Sequence, residues 1–220
     1  MARRQAEKEA RRRERREREE AARRAASRKK ALQVAGGAGL VILAIAVVGL
    51  VLVGGGSGSS ADAATVTADA QAANCSYRQF PSEGREHVAR KLTAKDYRTN
   101  PPTSGHHNPI PAPDGVYAPG HEPSVGNWVH SLEHGRILYQ YKPGTPAADI
   151  AMLRALAAQP LNGSPGYHTL VFENNTNMPS QYALVAWTRY LTCDELTPQA
   201  QKAMKAFREA FTDQAPERIP

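Results

Sequence analysis

Six of the seven histidines of this 220-residue chain fall between His87 and His134. They are His87, His106, His107, His121, His130 and His134, set in a stretch rich in proline, glycine and asparagine, with only His168 outside it. Neutral imidazole is the commonest metal ligand and titrates near neutral pH, so types and spacing point first to metal binding. His130 and His134, in "HSLEH", are four residues apart. That spacing puts both side chains on one face of a helix, and of a strand as well. His106 and His107 are adjacent, so one of the two is expected to join the pair. The "NPPTSG" segment ahead of them is a turn in which Gly105 can take positive φ and present a histidine at a fixed place. His87, expected in a short helix before Tyr97, is the next ligand candidate. Three or four imidazoles suit zinc, copper or nickel and are too nitrogen-rich for calcium or magnesium. Glu133, Tyr97 and Ser104 are expected around the ligands, with Glu133 orienting one of them. His121 and His168 read as histidines that satisfy loop hydrogen bonds.

Two other chemistries compete. "HSLEH" fits the His-x-x-Glu-His pattern of inverted zinc peptidases, which would make the domain a zinc-dependent hydrolase. Against this, Gly135 follows at once, whereas that motif needs a continuing helix. Ser104, His106 and Glu133 could mimic a triad, but no nucleophile-elbow pattern accompanies them. The remaining alternative is a non-enzymatic interaction module of the cell envelope. In that reading the His/Pro loops form a recognition surface and Tyr97, Tyr117 and Trp128 are its anchors.

The elements that must position these residues follow them in the chain. "RILYQYKP" (136–143) alternates as a strand. "TPAADIAMLRALAAQ" (145–159) opens on Thr-Pro and repeats apolar residues at helical spacing. "YHTLVFENN" (167–175) is a strand, and "QYALVAWTRYLTCD" (181–194) is one long, largely buried strand. "TPQAQKAMKAFREAFTDQ" (197–214) is a second helix opened by Thr-Pro. The expectation is an α+β domain, α/β-like in its β-α-β-β-α order: a small mixed sheet, two flanking helices and a long ordered His/Pro-rich loop region. Strands 136–142 and 168–173 should be parallel neighbours joined by a right-handed helical crossover. Met178-Pro179 before the last strand has the layout of the cis-proline of thioredoxin-like folds, although the redox Cys-x-x-Cys is absent.

The chain ahead of this domain is of another kind. Residues 1–30 hold fourteen Lys/Arg against six Asp/Glu, a net +8, while the whole chain is +7. The basic pI therefore belongs to the tail. Its Glu and Arg interleave at helical spacing without any aliphatic larger than Ala after Met1, which describes a solvated cytoplasmic helix and makes nucleic acid an unlikely partner. Residues 31–53 carry no charge and are long enough for a transmembrane helix. Residues 54–73 read as a flexible Gly/Ser/Ala linker, and 74–217 as the extracytoplasmic domain. Positive charge on the inside gives a single-pass cell-membrane protein, N-terminus cytoplasmic, with the end of the basic tail on anionic lipid headgroups. Cys75 and Cys193 would then both lie outside the membrane, where a disulfide between them persists and staples the domain.

"YRTNPPTSGHHNP", "GVY", "WVHSLEHGRILYQYKP" and "ALVAWTRYL" together resemble the bacterial domain-of-unknown-function 3105 family over roughly residues 74–217. The resemblance implies a membrane-anchored extracytoplasmic domain and no established activity.

Overall fold

The computed structural model describes residues 60–217 and Ile219. The basic helix expected at 1–30, the membrane span expected at 31–53 and the start of the linker lie outside the described residues. No helix among the described residues is long and apolar enough to cross a membrane.

The described residues form a mixed α+β domain. Its strands are β1 (Ser76–Gln79), β2 (Gly115–Val116), β3 (Ile137–Tyr141), β4 (Pro160–Leu161), β5 (Ser164–Pro165), β6 (Thr169–Glu173), β7 (Tyr182–Ala186) and β8 (Arg189–Cys193). Its helices are α1 (Ser60–Ala72), α2 (Val125–Glu133), α3 (Ala147–Ala157) and α4 (Pro198–Phe211). Six strands make one sheet in the order β1-β8-β7-β3-β6-β2, and β4 and β5 form a separate small hairpin. β3 and β6 are parallel, with Ile137 opposite Thr169 and Tyr141 opposite Glu173, and α3 lies between them in the chain. The expected crossover pair is therefore present. β7 runs antiparallel to β3 on its other side.

Strand alternation divides the core in two. Ile137, Tyr139, Tyr141, Val171, Leu184 and Leu191 pack with Leu153 of α3, Met204, Phe207 and Phe211 of α4, and Val66 and Ala70 of α1. Leu138, Leu170, Phe172, Ala183 and Val185 face the other way, onto Trp128, Val129 and Leu132 of α2. Helix α2 is thus clamped to the sheet by a fully buried stripe, which fixes its polar face.

Four expectations are corrected. The segment 181–194 is a hairpin, not one strand: β7 and β8 pair antiparallel, with Ala186 opposite Arg189. The turn is Trp187-Thr188, with Thr188 at φ +63. A two-residue hairpin normally advertises itself with Asn-Gly or Asp-Gly. Here other parts of the fold hold the turn: Thr188 N–H donates to Thr103 O at 2.8 Å and Thr188 O accepts from Phe80 N–H at 2.8 Å. The second correction concerns 54–73, read as flexible. From Ser60 it is helix α1, Ala-rich and so a good helix former, docked through Val66 and Ala70 and tied by Lys202 Nζ to Asp69 Oδ1 at 2.6 Å. The third concerns His87, which lies in an extended segment bridged to His107, not in a helix. The nearby helical residues are a single 3-10 turn, Ala94–Asp96. The cis peptide bond among the described residues is Asn100–Pro101, not Met178–Pro179.

Cys75 and Cys193 are joined, their Cα atoms 4.5 Å apart and 118 residues apart in sequence. The bond ties the entry of edge strand β1 to the end of β8, beside the pairing of Ser76 with Thr192. Closing so long a loop stabilises by about 5 kcal/mol in the chain-entropy account.

Candidate metal centre

Helix α2 carries the site because of how it ends. Arg136 N–H donates to Ser131 O at 3.1 Å and Gly135 N–H to Leu132 O at 3.0 Å, the paired bonds of a Schellman stop. Gly135 takes φ +81, and a Cβ there would come within 2.6 Å of Asp213 Cα, so only glycine fits. The last turn therefore holds His130 and Glu133 one turn apart on a face, with His134 at the cap. All three are buried.

A second segment meets this turn. His107 and His87 lie on two chain segments bridged in parallel: Val88 N–H donates to His107 O at 2.8 Å and His107 N–H to Glu86 O at 3.1 Å. Asn108 locks them to the helix. Its Nδ2 donates to Val88 O and Arg90 O, each at 2.9 Å, and its backbone N–H to Gly126 O at 3.1 Å. As expected, Gly105 takes positive φ (+123) and turns the chain ahead of His107.

The result is a compact group: His87, His107, His130 and Glu133 each offer one ligand atom, all within 4.8 Å of one another. His107 Nε2 is 2.9 Å from Glu133 Oε2, and His87 Nε2 is 3.9 Å from the same oxygen. Proton positions follow from the partners. His107 Nδ1 faces Gly105 O at 2.8 Å and His130 Nδ1 faces Asn108 O at 2.7 Å. A carbonyl only accepts, so both rings carry their proton on Nδ1 and, when neutral, present a bare lone pair on Nε2. For His107 that lone pair confronts a carboxylate. Although 2.9 Å apart, the two make no hydrogen bond, and His107 Nε2 and Glu133 Oε1 are buried polar atoms without a partner. Two acceptors pressed together away from water are costly unless a cation joins them. Anchoring the distal N–H of a histidine on a backbone carbonyl is also how metal-ligating histidines are oriented.

The electrostatics agree. Burial lowers the pKa of His107 and of His130, so both rings are neutral and able to ligate at neutral pH. Burial lowers His134 to about 4, with His130 and Arg136 adding to the effect. Glu133 is raised, first by burial and then by the nearby Glu217 carboxylate. A bound cation would reverse this last shift.

The remaining candidates fall elsewhere. His106 is exposed, its Nδ1 3.6 Å from Glu86 Oε2, outside the group. Between the adjacent pair, the structure brings in His107. His134 touches the group only through His130, Nε2 to Nε2 at 2.9 Å. Since the His130 proton is on Nδ1, His134 donates this bond. Glu133 is not behind a ligand but among the candidate donors. Tyr97 does not touch the group: its hydroxyl donates to His106 O at 2.7 Å. Ser104 is fully buried and its hydroxyl accepts from Glu83 N–H at 3.0 Å, which leaves no triad with His106 and Glu133. The helix stops at Glu133, so "HSLEH" straddles a helix end rather than lying mid-helix as the peptidase pattern requires. His168 pairs with Asp213, Nδ1 to Oδ1 at 2.5 Å. Sequence reasoning missed Asn108, the residue that joins the two halves of the site, and Glu217. A lone Asn before Pro109 and a lone Glu near the C-terminus carry no signal of either role.

The family described as "Protein of unknown function (DUF3105)" matches residues 87–219, and the chain belongs to it. The match begins at His87 and takes in every residue of the group. No curated protein and no solved structure matches the chain.

Proposed function

We propose that this DUF3105 protein is a single-pass membrane protein whose extracytoplasmic domain binds one transition-metal ion, zinc or copper, through His87, His107, His130 and Glu133. The observation that carries this reading is the buried meeting of His107 Nε2 with the Glu133 carboxylate, both short of a partner, beside a second imidazole oriented in the same way. Three nitrogens and one carboxylate oxygen suit a borderline-soft ion. The His87 side chain is 45% exposed, which leaves an approach from solvent at one ligand. Such a site supports metal handling, or a metal-dependent activity in which the ion supplies Lewis acidity, at the cell surface.

The Cys75–Cys193 disulfide supports an oxidising compartment. The uncharged run at 31–53 behind a +8 tail supports an anchor with the N-terminus inside, its basic end on anionic lipid. The β3-α3-β6 crossover followed by the β7–β8 hairpin and α4 supports a thioredoxin-like layout for the sheet, without the cysteine pair that would give it redox chemistry.

Elemental analysis of the full chain, purified in detergent with a tag free of histidine, tests the metal reading. About one equivalent of zinc or copper is expected, and none in a His107→Ala/His130→Ala variant whose circular dichroism is unchanged. No metal in the natural chain, even after reconstitution, would leave the interaction-module reading. That reading has its own observation: Ile110 is 70% exposed and Val116 51% in the proline-rich loop.

A further inference from the structure

The four-residue group is bordered by a carboxylate that comes from far away in the chain. After α4 the chain turns at Asp213, φ +61, and returns along the C-terminal end of α2. This tail is pinned at successive points. Asp213 N–H donates to Gly135 O at 2.9 Å, and its carboxylate takes the Tyr167 hydroxyl at 3.1 Å and His168 Nδ1. Glu217 N–H donates to Glu133 O at 3.0 Å, and Ile219 O accepts from Arg136 Nη1 at 2.6 Å. The second of these pins is the backbone of a residue of the group itself.

The bond places the Glu217 side chain beside the group. Its Oε2 is 3.5 Å from His134 Nε2. Its charge acts on both Glu133 and His107: it adds to the rise that burial imposes on Glu133, and it opposes the lowering that burial imposes on His107. Two carboxylates thus reach the histidines at this end of α2: Glu133 at the bare Nε2 of His107, and Glu217 at His134, whose partner His130 keeps a lone pair on Nε2. The two carboxylates repel each other, and a cation between them would relieve that repulsion.

We propose that Glu217 is a further ligand of the same ion, so that metal binding staples the C-terminal tail to helix α2. The proposal rests on the metal reading above and adds its fifth donor. The role of His134 follows. The lone pair of His130 Nε2 can serve an ion or accept the His134 N–H, not both. With the ion bound, the His134 proton turns to Glu217 Oε2, the acceptor already 3.5 Å away, and holds that carboxylate in place. His134 is then a positioning residue, and the tail senses whether the ion is present.

The test uses the full chain in detergent, with zinc as the probe. Zinc affinity is measured by competition with a chromophoric chelator, and amide hydrogen exchange is followed at residues 213–217 with and without zinc. Natural protein should bind one zinc and show slower exchange in the tail when zinc is present. Glu217→Gln, which keeps size and hydrogen bonding but not charge, should still bind one zinc, weaker by roughly tenfold to a hundredfold, with tail exchange no longer responding to zinc. His134→Ala should weaken the tail response in the same way. Equal affinity in Glu217→Gln together with tail protection independent of zinc would overturn the proposal while leaving the four-residue site standing. Failure of the natural chain to bind zinc or copper at all would overturn the site itself.

Discussion

Asn108 and Gly126 meet with no room between them: a Cβ on Gly126 would run into Asn108 Oδ1 and Cγ. This close approach lets one residue serve both halves of the site. The Asn108 side chain holds the His87 segment, its N–H reaches the first turn of α2, and its carbonyl fixes the His130 ring.

Gly126→Ala should therefore act on the site as well as on stability. Overpacking of this kind costs roughly 1–3 kcal/mol. The expected outcome is a lower urea midpoint and weaker zinc retention. Asn108→Ala keeps the carbonyl but frees Val88 O and Arg90 O, and should loosen His87 with a similar loss. Unchanged zinc affinity in both variants would mean that Asn108 does not organise the ligands.

The adjacent histidines should separate cleanly. His107→Ala removes a fully buried lone pair and should abolish metal uptake. His106→Ala changes an exposed ring facing Glu86 and should leave uptake as it was. Metal content of the two purified variants decides; equal loss in both would be incompatible with the geometry.

The pH dependence has a defined sign. His134 titrates at about 4 in the fold, against 6.5 for the ordinary group. The unfolded chain takes up its proton first, so this contribution to stability is complete above about pH 6.5 and declines as pH falls toward about 4. His107 and His130 shift in the same direction. Glu133 is raised and works the opposite way, favouring the fold as it gains its proton. The large shift is that of His134, and two further histidines move with it, so urea midpoints of metal-free protein should fall between pH 7 and pH 5. A flat profile across that interval would contradict these shifts. Zinc should amplify the slope, because protons compete for the same lone pairs.

Removing the disulfide should lower stability at neutral pH by several kcal/mol, about 5 in the chain-entropy account. Cys75→Ser/Cys193→Ser, or the natural chain under a reductant, would show it in chemical unfolding. Both should shift by the same amount.

The membrane reading has a separate check. A reporter fused after Pro220 that is active only outside the cytoplasm should work, and one active only inside should not. The reverse pattern would invert the topology.

Periodicity and start signals in the sequence were enough for the regular half of the domain up to β7. The Thr-Pro openings of α3 and α4, the alternation of β3 and the βαβ order are local patterns, and each survives because packing reinforces it. The disulfide partners followed from there being two cysteines. The histidine cluster was visible as composition, with His130 and His134 on a shared helical face. Other features were decided by contacts between residues far apart in the chain. Trp187-Thr188 turns because Thr103 and Phe80 hold it, not because its residues ask for a turn. The 60–72 segment is helical against α4, where Val66 and Ala70 find a surface that a linker would not have. The choice of His107 over His106 depended on which neighbour pairs with the His87 segment. The place of Glu133 beside that ring depended on where the Schellman stop ends α2. Ligand identity lives in side-chain direction at the few-ångström scale. Spacing along the chain constrains direction within one helix or strand, but between a loop, a helix end and a C-terminal tail only the tertiary structure sets it.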